Sequence, residues 1–246
     1  MQLTKVFGIT IICLSILFLG LQSFGLELEA FGIKALTLVL LTVLYLFSVK
    51  SKHFLFLLFL LSFTTAEIYN YLSYDLIPEE DEFLDIYYII GNSFFILSYL
   101  FLIGRILALM DFRKALSRFP IQILLLTVLA IFVTYMITDL SIASIPLDYT
   151  YFVELSYNAI IMILMSLSLI NYMYKDTKKS MNLLVGCIFI VFSEVIQIAY
   201  YYITDFDNTL NVVYSVFLVA AFVFFYLQSR LEDEPERVYS YTELEA

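Results

Sequence analysis

The sequence predicts an all-α integral membrane protein, a bundle of about eight transmembrane helices, and three observations predict it. Hydrophobic residues make up 62% of the 246 and charged residues 15%, with a mean hydropathy of +0.93. An ordinary soluble domain is about half apolar and about a quarter charged, so this chain needs lipid as part of its solvent. Apolar runs also recur at the length a helix needs to cross a ~30 Å hydrocarbon core, about 20 residues. Finally, the polar connections between the runs alternate between basic and acidic along the whole chain. Lipid cannot satisfy an open backbone, so spanning runs of this kind are helices.

The runs are Val6–Gln22, Phe31–Ser48, His53–Leu72, Leu84–Met110, Pro120–Thr138, Thr150–Tyr172, Met181–Tyr202 and Leu210–Leu227. The first has a lysine before an apolar stretch, as a signal peptide does. No small-x-small cleavage site precedes Glu27, however, so it reads as a retained helix. Pro120 opens the fifth run, where a missing N–H costs a helix nothing. Pro78 and Pro146 break the connections before the fourth and sixth. Residues 1–230 thus form one polytopic domain. Residues 231–246 are acidic and without helical periodicity, which predicts a disordered tail.

Basic residues set the expected orientation. With the N-terminus inside, twelve of the thirteen fall on the inner side, from Lys5 and Lys50 through Arg113, Lys114 and Lys178 to Arg237. The outer connections are acidic: Glu27 and Glu29, then Asp75 with the solvated run 79–82, then Asp139 and Asp148, then Asp205 and Asp207. An odd number of spans would break this alternation, so both termini are expected in the cytoplasm. Tyrosines crowd the outer helix ends (Tyr69, Tyr71, Tyr87, Tyr88, Tyr149, Tyr151, Tyr200 to Tyr202), as an interfacial aromatic belt would. Arg105 is expected to reach inward to the interface along its own stem, and Cys13 and Cys187 to serve as packing residues.

Ionisable groups within apolar spans are costly and are functional-site candidates by default. Glu67 lies in the third span, Glu194 in the seventh, and Lys34, the one exception to the positive-inside count, begins the second. Glu67 follows Lys52 by fifteen residues and Glu194 follows Lys179 by fifteen. At ~1.5 Å per residue both carboxyls therefore sit about 22 Å from the inner basic cluster. Each has an amide three residues on, Asn70 or Gln197, on the same helix face. Asn92, Ser93, Asn158 and Asn211 fall in the outer halves of other spans and extend the candidate pocket. Two readings stand for Glu67 and for Lys34, a place in this pocket or a side chain reaching to the outer interface. For Glu194 the alternative is a structural ion pair or hydrogen bond.

Other chemistries lack their residues. The single histidine, His53, excludes a multi-histidine metal site. The chain has no G-x-S-x-G elbow, H-E-x-x-H, P-loop or dinucleotide fingerprint. A net charge of −10 argues against nucleic acid. Two buried carboxyls and one cation remain. Desolvation favours the neutral form of a carboxyl, so one glutamate can hold a proton while the other, nearer a cation, stays ionised. That pairing suits general acid and base catalysis. It equally suits a proton- or cation-coupled transporter using Glu67 and Glu194. The segments Ala66-Glu67-Ile68-Tyr69-Asn70 and Ser193-Glu194-Val195-Ile196-Gln197 share a pattern 127 residues apart, which hints at a four-plus-four repeat. A non-catalytic sensor or scaffold is the third reading.

At these residues the chain resembles the lysoplasmalogenase-like (YhhN-type) family of eight-helix membrane proteins. That family's Lys-Pro-Leu near the start of the second helix is matched by Lys34-Ala35-Leu36, and its small-acid pair in the third by Ala66-Glu67. Its Phe-x-x-Ser-acid in the seventh is similar to Phe189-x-x-x-Ser193-Glu194, with one extra residue, and Gly91-x-x-Phe94-Phe95 is similar in the fourth. The acids here are Glu where the family has Asp, the proline is absent, and the fourth-helix histidine has no counterpart near Ser98. The resemblance implies hydrolysis of the vinyl ether bond of a lysoplasmalogen without metal or cofactor, in a bacterial cytoplasmic membrane. Glu67 and Glu194 would then be catalytic, and Lys34, Asn70, Asn92 and Gln197 would bind the lipid.

Overall fold

The computed structural model describes residues 2–74, 81–142, 148–203 and 208–232. All its regular elements there are helical: α1 (Gln2–Ser23), α2 (Glu27–Ser48), α3 (Phe54–Ser73), α4 (Asp81–Leu109), α5 (Phe112–Arg118), α6 (Pro120–Ile142), α7 (Asp148–Lys175), α8 (Lys178–Tyr202) and α9 (Asn208–Arg230). Eight are long and apolar enough to cross a membrane, and they match the eight expected runs. The expected tail from residue 233 onward, and the connections at Asp75 to Glu80, Pro146, Asp205 and Asp207, lie outside the described residues.

Two corrections to the expected boundaries share one cause. Glu27 and Glu29, expected in a connection, form the first turn of α2, and Asp81 and Glu82 open α4. Acidic side chains at a helix N-terminus complement the macrodipole, so a polar residue there extends the helix past its apolar run. The ninth helix, α5, was not expected. It is a single short amphipathic piece between α4 and α6, started by Asp111, whose carboxylate accepts the Lys114 backbone N–H at 3.2 Å. That bond, more than the Lys114 ammonium nearby, holds the Asp111 carboxyl below the usual carboxylate range.

Sequence neighbours pack as antiparallel pairs, α1 with α2, α3 with α4, α6 with α7 and α8 with α9. Contacts of α2 with α3, α4 with α7, α7 with α8, and α9 with α1 then close a circuit, and α6 stands outside it against α7. Gln22, near the end of α1, meets Tyr214 and Ser215 near the start of α9. The two helices are therefore antiparallel, and Gln2 and Arg230 share one end of the bundle. The bundle thus has a basic end, with Lys50, Lys52, Lys114 and Lys178, and an opposite end with the helix starts at Glu27 and Asp81.

An aromatic column fills the interior. Phe56, Phe59 and Phe63 lie on one face of α3 and are almost fully buried, with Phe222 and Phe225 of α9 and Tyr99 of α4 against them. Phe63 meets Phe222 edge-on at 4.8 Å and Phe95 at 5.0 Å between ring centroids, and Phe59 meets Phe225 at 5.4 Å. Such edge-to-face pairs place a positive ring edge on a negative ring face and add to their area burial. Cys187 is buried among these residues, as expected, whereas Cys13 lies exposed on the outer face of α1. An isolated apolar thiol is as much at home in lipid as in a core.

Gly186 sets the closeness of α8 to α9: a Cβ there would lie 2.6 Å from the Phe225 ring. Phe225 is fully buried, so it cannot swing away cheaply. Gly186→Ala should lower stability by about 1–3 kcal/mol. Gly104→Ala should be near neutral, since its Cβ would meet Leu55 at an ordinary 3.6 Å. Equilibrium unfolding of both variants in one detergent checks the pair, and equal losses would contradict this packing.

Candidate functional site

The helical stripes that make the core also bring its charges inward. On α3, Glu67 stands one turn beyond Phe63 and continues its buried face. On α2, Lys34 lies between buried Ala30 and Leu38, and on α8 Glu194 follows Cys187 and Ile190. A spacing of three or four residues keeps each charged side chain on the face that its helix turns toward the interior. Lys34 is 6% exposed, Glu67 2% and Glu194 8%. Because α2 begins at Glu27, Lys34 lies two turns inside its helix rather than one. Both its side chain and that of Glu67 are turned into the bundle.

Lys34 Nζ and Glu67 Oε2 form an ion pair at 2.7 Å. The ammonium also lies 4.9 Å from the centre of the Phe31 ring. Glu194 is held differently. Tyr99 of α4 donates to its Oε1, and Tyr157 of α7 donates to Oε2 at 2.8 Å. The two phenol rings meet edge-on at 6.0 Å. Glu67 and Lys34 lie near enough to Glu194 for their charges to act on it.

A tall apolar cavity of about 210 Å³ adjoins these groups. Its walls are Gly8 to Phe18 of α1, Lys34 to Leu44 of α2, and Leu218 to Leu227 of α9, and Lys34 is the charged residue on it among the described residues. Ten residues of α2 separate Lys34 from Leu44, about 15 Å of helix. That is roughly the depth of one leaflet of a ~30 Å hydrocarbon core.

The other expected site residues have partners elsewhere. Asn70 is half-buried with its Oδ1 against α4, 3.3 Å from where a Cβ on Gly91 would be, so glycine there admits the amide. Asn92 donates to the Tyr88 carbonyl of its own helix at 2.9 Å, and Gln197 lies within reach of the Tyr201 hydroxyl. Ser93 bonds its own helix at the Ile89 carbonyl.

Two carboxylates that sequence reasoning passed over are built into the same half of the bundle. Glu154 of α7 is buried, accepts from the Tyr88 hydroxyl, and lies within hydrogen-bond reach of Ser141 and Asn158. Asn158 in turn donates to Thr138 at 3.1 Å. The signal was available: Glu154 and Asn158 are four residues apart inside an apolar run, hence on one helix face. Glu27 accepts from Tyr200 at 2.6 Å, Tyr74 at 3.3 Å and Asn211 at 3.4 Å, tying the start of α2 to α3, α8 and α9. Two tyrosines expected in an interfacial belt, Tyr88 and Tyr200, thus meet carboxylates.

Arg105 corrects another expectation. It does not reach out to the interface but is buried, its guanidinium 4.5 Å from the centre of the Phe56 ring and donating to Gln228 Oε1 at 2.9 Å. A neighbouring helix offers an acceptor and a π-face, which replace the water that it would otherwise seek. Among the described residues no cluster of three or more His, Cys, Asp and Glu has metal-site geometry. In comparisons with protein-family models, curated proteins and solved structures, nothing matches the chain.

Replacing Lys34 with methionine leaves Glu67 as a buried, uncompensated charge and should cost about 3–5 kcal/mol. Adding Glu67→Gln to Lys34→Met should recover most of that loss. Thermal unfolding of the two single variants and the double variant checks the coupling, and additive losses would argue against a buried pair.

Proposed function

We propose that this protein is a membrane-embedded lipid hydrolase of lysoplasmalogenase-like type, with both termini in the cytoplasm of a bacterial cell. The observation that carries the reading is the one-leaflet apolar cavity ending at an ion-paired Lys34–Glu67, with a second buried carboxyl, Glu194, in electrostatic reach. A single lipid chain suits the cavity, which then delivers the first polar bond of that lipid to the level of Lys34. The ether must pass Lys34 to meet the carboxyls, because neither glutamate is among the residues lining the cavity.

The two carboxyl environments divide the work. Glu67, in contact with the Lys34 ammonium, takes the carboxylate role in this proposal. Glu194, touched by phenols instead of a cation, is the group able to carry a proton. In the proposed step, Glu194 gives its proton to the vinyl carbon remote from the ether oxygen, the π pair forms the new C–H bond, and an oxocarbenium ion results. The Glu67 carboxylate steadies that cation. Water adds to the oxocarbenium carbon and gives one proton to the carboxylate left on Glu194, which restores the acid and leaves a hemiacetal. The hemiacetal then collapses to a fatty aldehyde and the glycerophospho-alcohol. Water is consumed and neither metal nor redox cofactor is required by the balance. Tyr99 and Tyr157 position Glu194. Lys34 positions Glu67, and it can take a lipid phosphate only by sharing that role.

The carrier reading shares the same residues but is less favoured. Midplane sites of carriers are typically built on interrupted helices, whereas α3 and α8 run unbroken through Glu67 and Glu194.

Aldehyde release from a lysoplasmalogen by the purified protein tests the proposal. Glu67→Gln and Glu194→Gln should each lower it by about 10²–10⁴-fold, and full activity in either would sink the mechanism. Val219→Phe, on the cavity wall, should impair long-chain substrates more than short-chain ones, read as the ratio of kcat/KM values.

A further inference from the structure

The apolar cavity has a second end, opposite Lys34, that the proposed chemistry does not use. Two of its walls are α2 and α9, and a hydrogen bond joins these helices beyond either end of it. Asn211 of α9 donates to Glu27 of α2 at 3.4 Å, two turns past Lys34. At the other end the Tyr226 hydroxyl of α9 donates to Ser48 Oγ of α2 at 3.1 Å. Ser48 lies one turn past Leu44, where the α2 wall ends, and Tyr226 itself lines the cavity. The phenol therefore crosses from one wall to the other and closes the foot of the cavity.

The third wall, α1, is attached at one end. Gln22 and Ser23 tie it to Tyr214, Ser215 and Asn208 of α9, on the Lys34 side. Nearer the foot, Ile12 of α1 and Val223 of α9 both line the cavity and yet are 61% and 50% exposed. A residue that lines a cavity and also faces outward stands at its mouth. The lining residues of α2, by contrast, are buried or half-buried. The cavity thus opens sideways between α1 and α9, with α2 behind it. Its walls suit hydrocarbon, since even the Thr37 hydroxyl is turned back onto the Ile33 carbonyl of its own helix at 2.7 Å. Near the foot, a Cβ on Gly8 would meet nothing within 4 Å, so the space there is unfilled.

We propose that Tyr226, braced on Ser48, sets the length of the hydrocarbon chain that this protein accepts. The chain enters from the bilayer between α1 and α9 and lies along α2. Its polar end is at Lys34 and its terminal methyl rests on the Tyr226 ring. Apolar space gains from each methylene that fits and resists the next one. A longer chain must press on a ring held by its hydrogen bond or bend out through the side. The inference rests on the reading that the cavity holds a lipid chain, and it is independent of the bond that is cleaved.

The test exposes the full chain in detergent to an equimolar ladder of saturated lysophosphatidylcholines, decanoyl to stearoyl. Lipid retained after washing is quantified by mass spectrometry. These probes carry an ester in place of the vinyl ether, so retention does not depend on the proposed cleavage. Retention should rise with chain length and fall beyond a limiting length. Dividing each variant's profile by that of the wild type cancels partition into detergent. Tyr226→Ala should move the limit to longer chains and Gly8→Leu to shorter ones. The ratio of long to short chains should change by about fivefold or more, in opposite directions. Ile16→Ala, on the lipid-facing side of α1 and off the cavity, should keep the wild-type profile. If Tyr226→Ala does not fold, Tyr226→Leu is read by the same criterion. Unchanged profiles in the Tyr226 and Gly8 variants, or an equal shift in Ile16→Ala, would overturn the role of Tyr226 and leave the hydrolase reading intact. The expected shifts in a protein that releases no aldehyde from a lysoplasmalogen would do the reverse. Retention of no lysolipid by the wild type would overturn both.

Discussion

The buried ion pair between Lys34 and Glu67 is the constraint on which the rest of the bundle depends. A lone charge at this depth is untenable in hydrocarbon, and its desolvation is offset only when the partner is in contact. The 2.7 Å contact therefore fixes the axial level of α2 against α3 and turns both helices so that these faces meet. The aromatic column then has a defined direction, because Phe63 lies one turn below Glu67 on the same face and packs onto Phe222 of α9. The apolar cavity is bounded by the same choice, since Lys34 is its polar end and α1, α2 and α9 are its walls.

Tyrosine is the second organising device. The chain has 23 acidic residues against 13 basic ones, and 20 tyrosines but no tryptophan. Three carboxylates buried or half-buried in helices are met by phenols: Glu194 by Tyr99 and Tyr157, Glu154 by Tyr88, and Glu27 by Tyr200 and Tyr74. A phenol supplies one donor on a large apolar ring, so it can serve a carboxyl without bringing in another charge to be solvated. A phenol thus satisfies such a carboxyl as an acceptor without balancing its charge, whereas Lys34 balances that of Glu67. That difference separates the two roles proposed for Glu194 and Glu67.

The two ends of the bundle are accordingly built on different terms. One is made of carboxylates satisfied by hydroxyls and amides. The other gathers cations around buried amide groups, with Arg105 drawn inside by Gln228 and the face of Phe56. Between them stands the phenylalanine column of α3 and α9, with Tyr99 against it toward Glu194 and Arg105 on Phe56 at its other end.

The sequence by itself determined the eight apolar runs, their alternation of basic and acidic connections, and the common depth of Glu67 and Glu194. These are properties of one helix at a time: hydrophobic length against a slab of known thickness, and a rise of about 1.5 Å per residue. It also singled out Lys34 as anomalous. What only the tertiary structure decided is which helix each face meets. In a membrane every face of a helix is apolar, so the amphipathic stripe that orients a soluble helix is faint. Nothing in the order of spans says that α4 packs on α7 while α6 is left outside. Hence the phenols of Tyr99 and Tyr157 on Glu194 and the inward turn of Arg105 were not legible in advance. Each depends on a partner from a distant run, and its rotation about the helix axis is set by side-chain packing, on which hydropathy is silent.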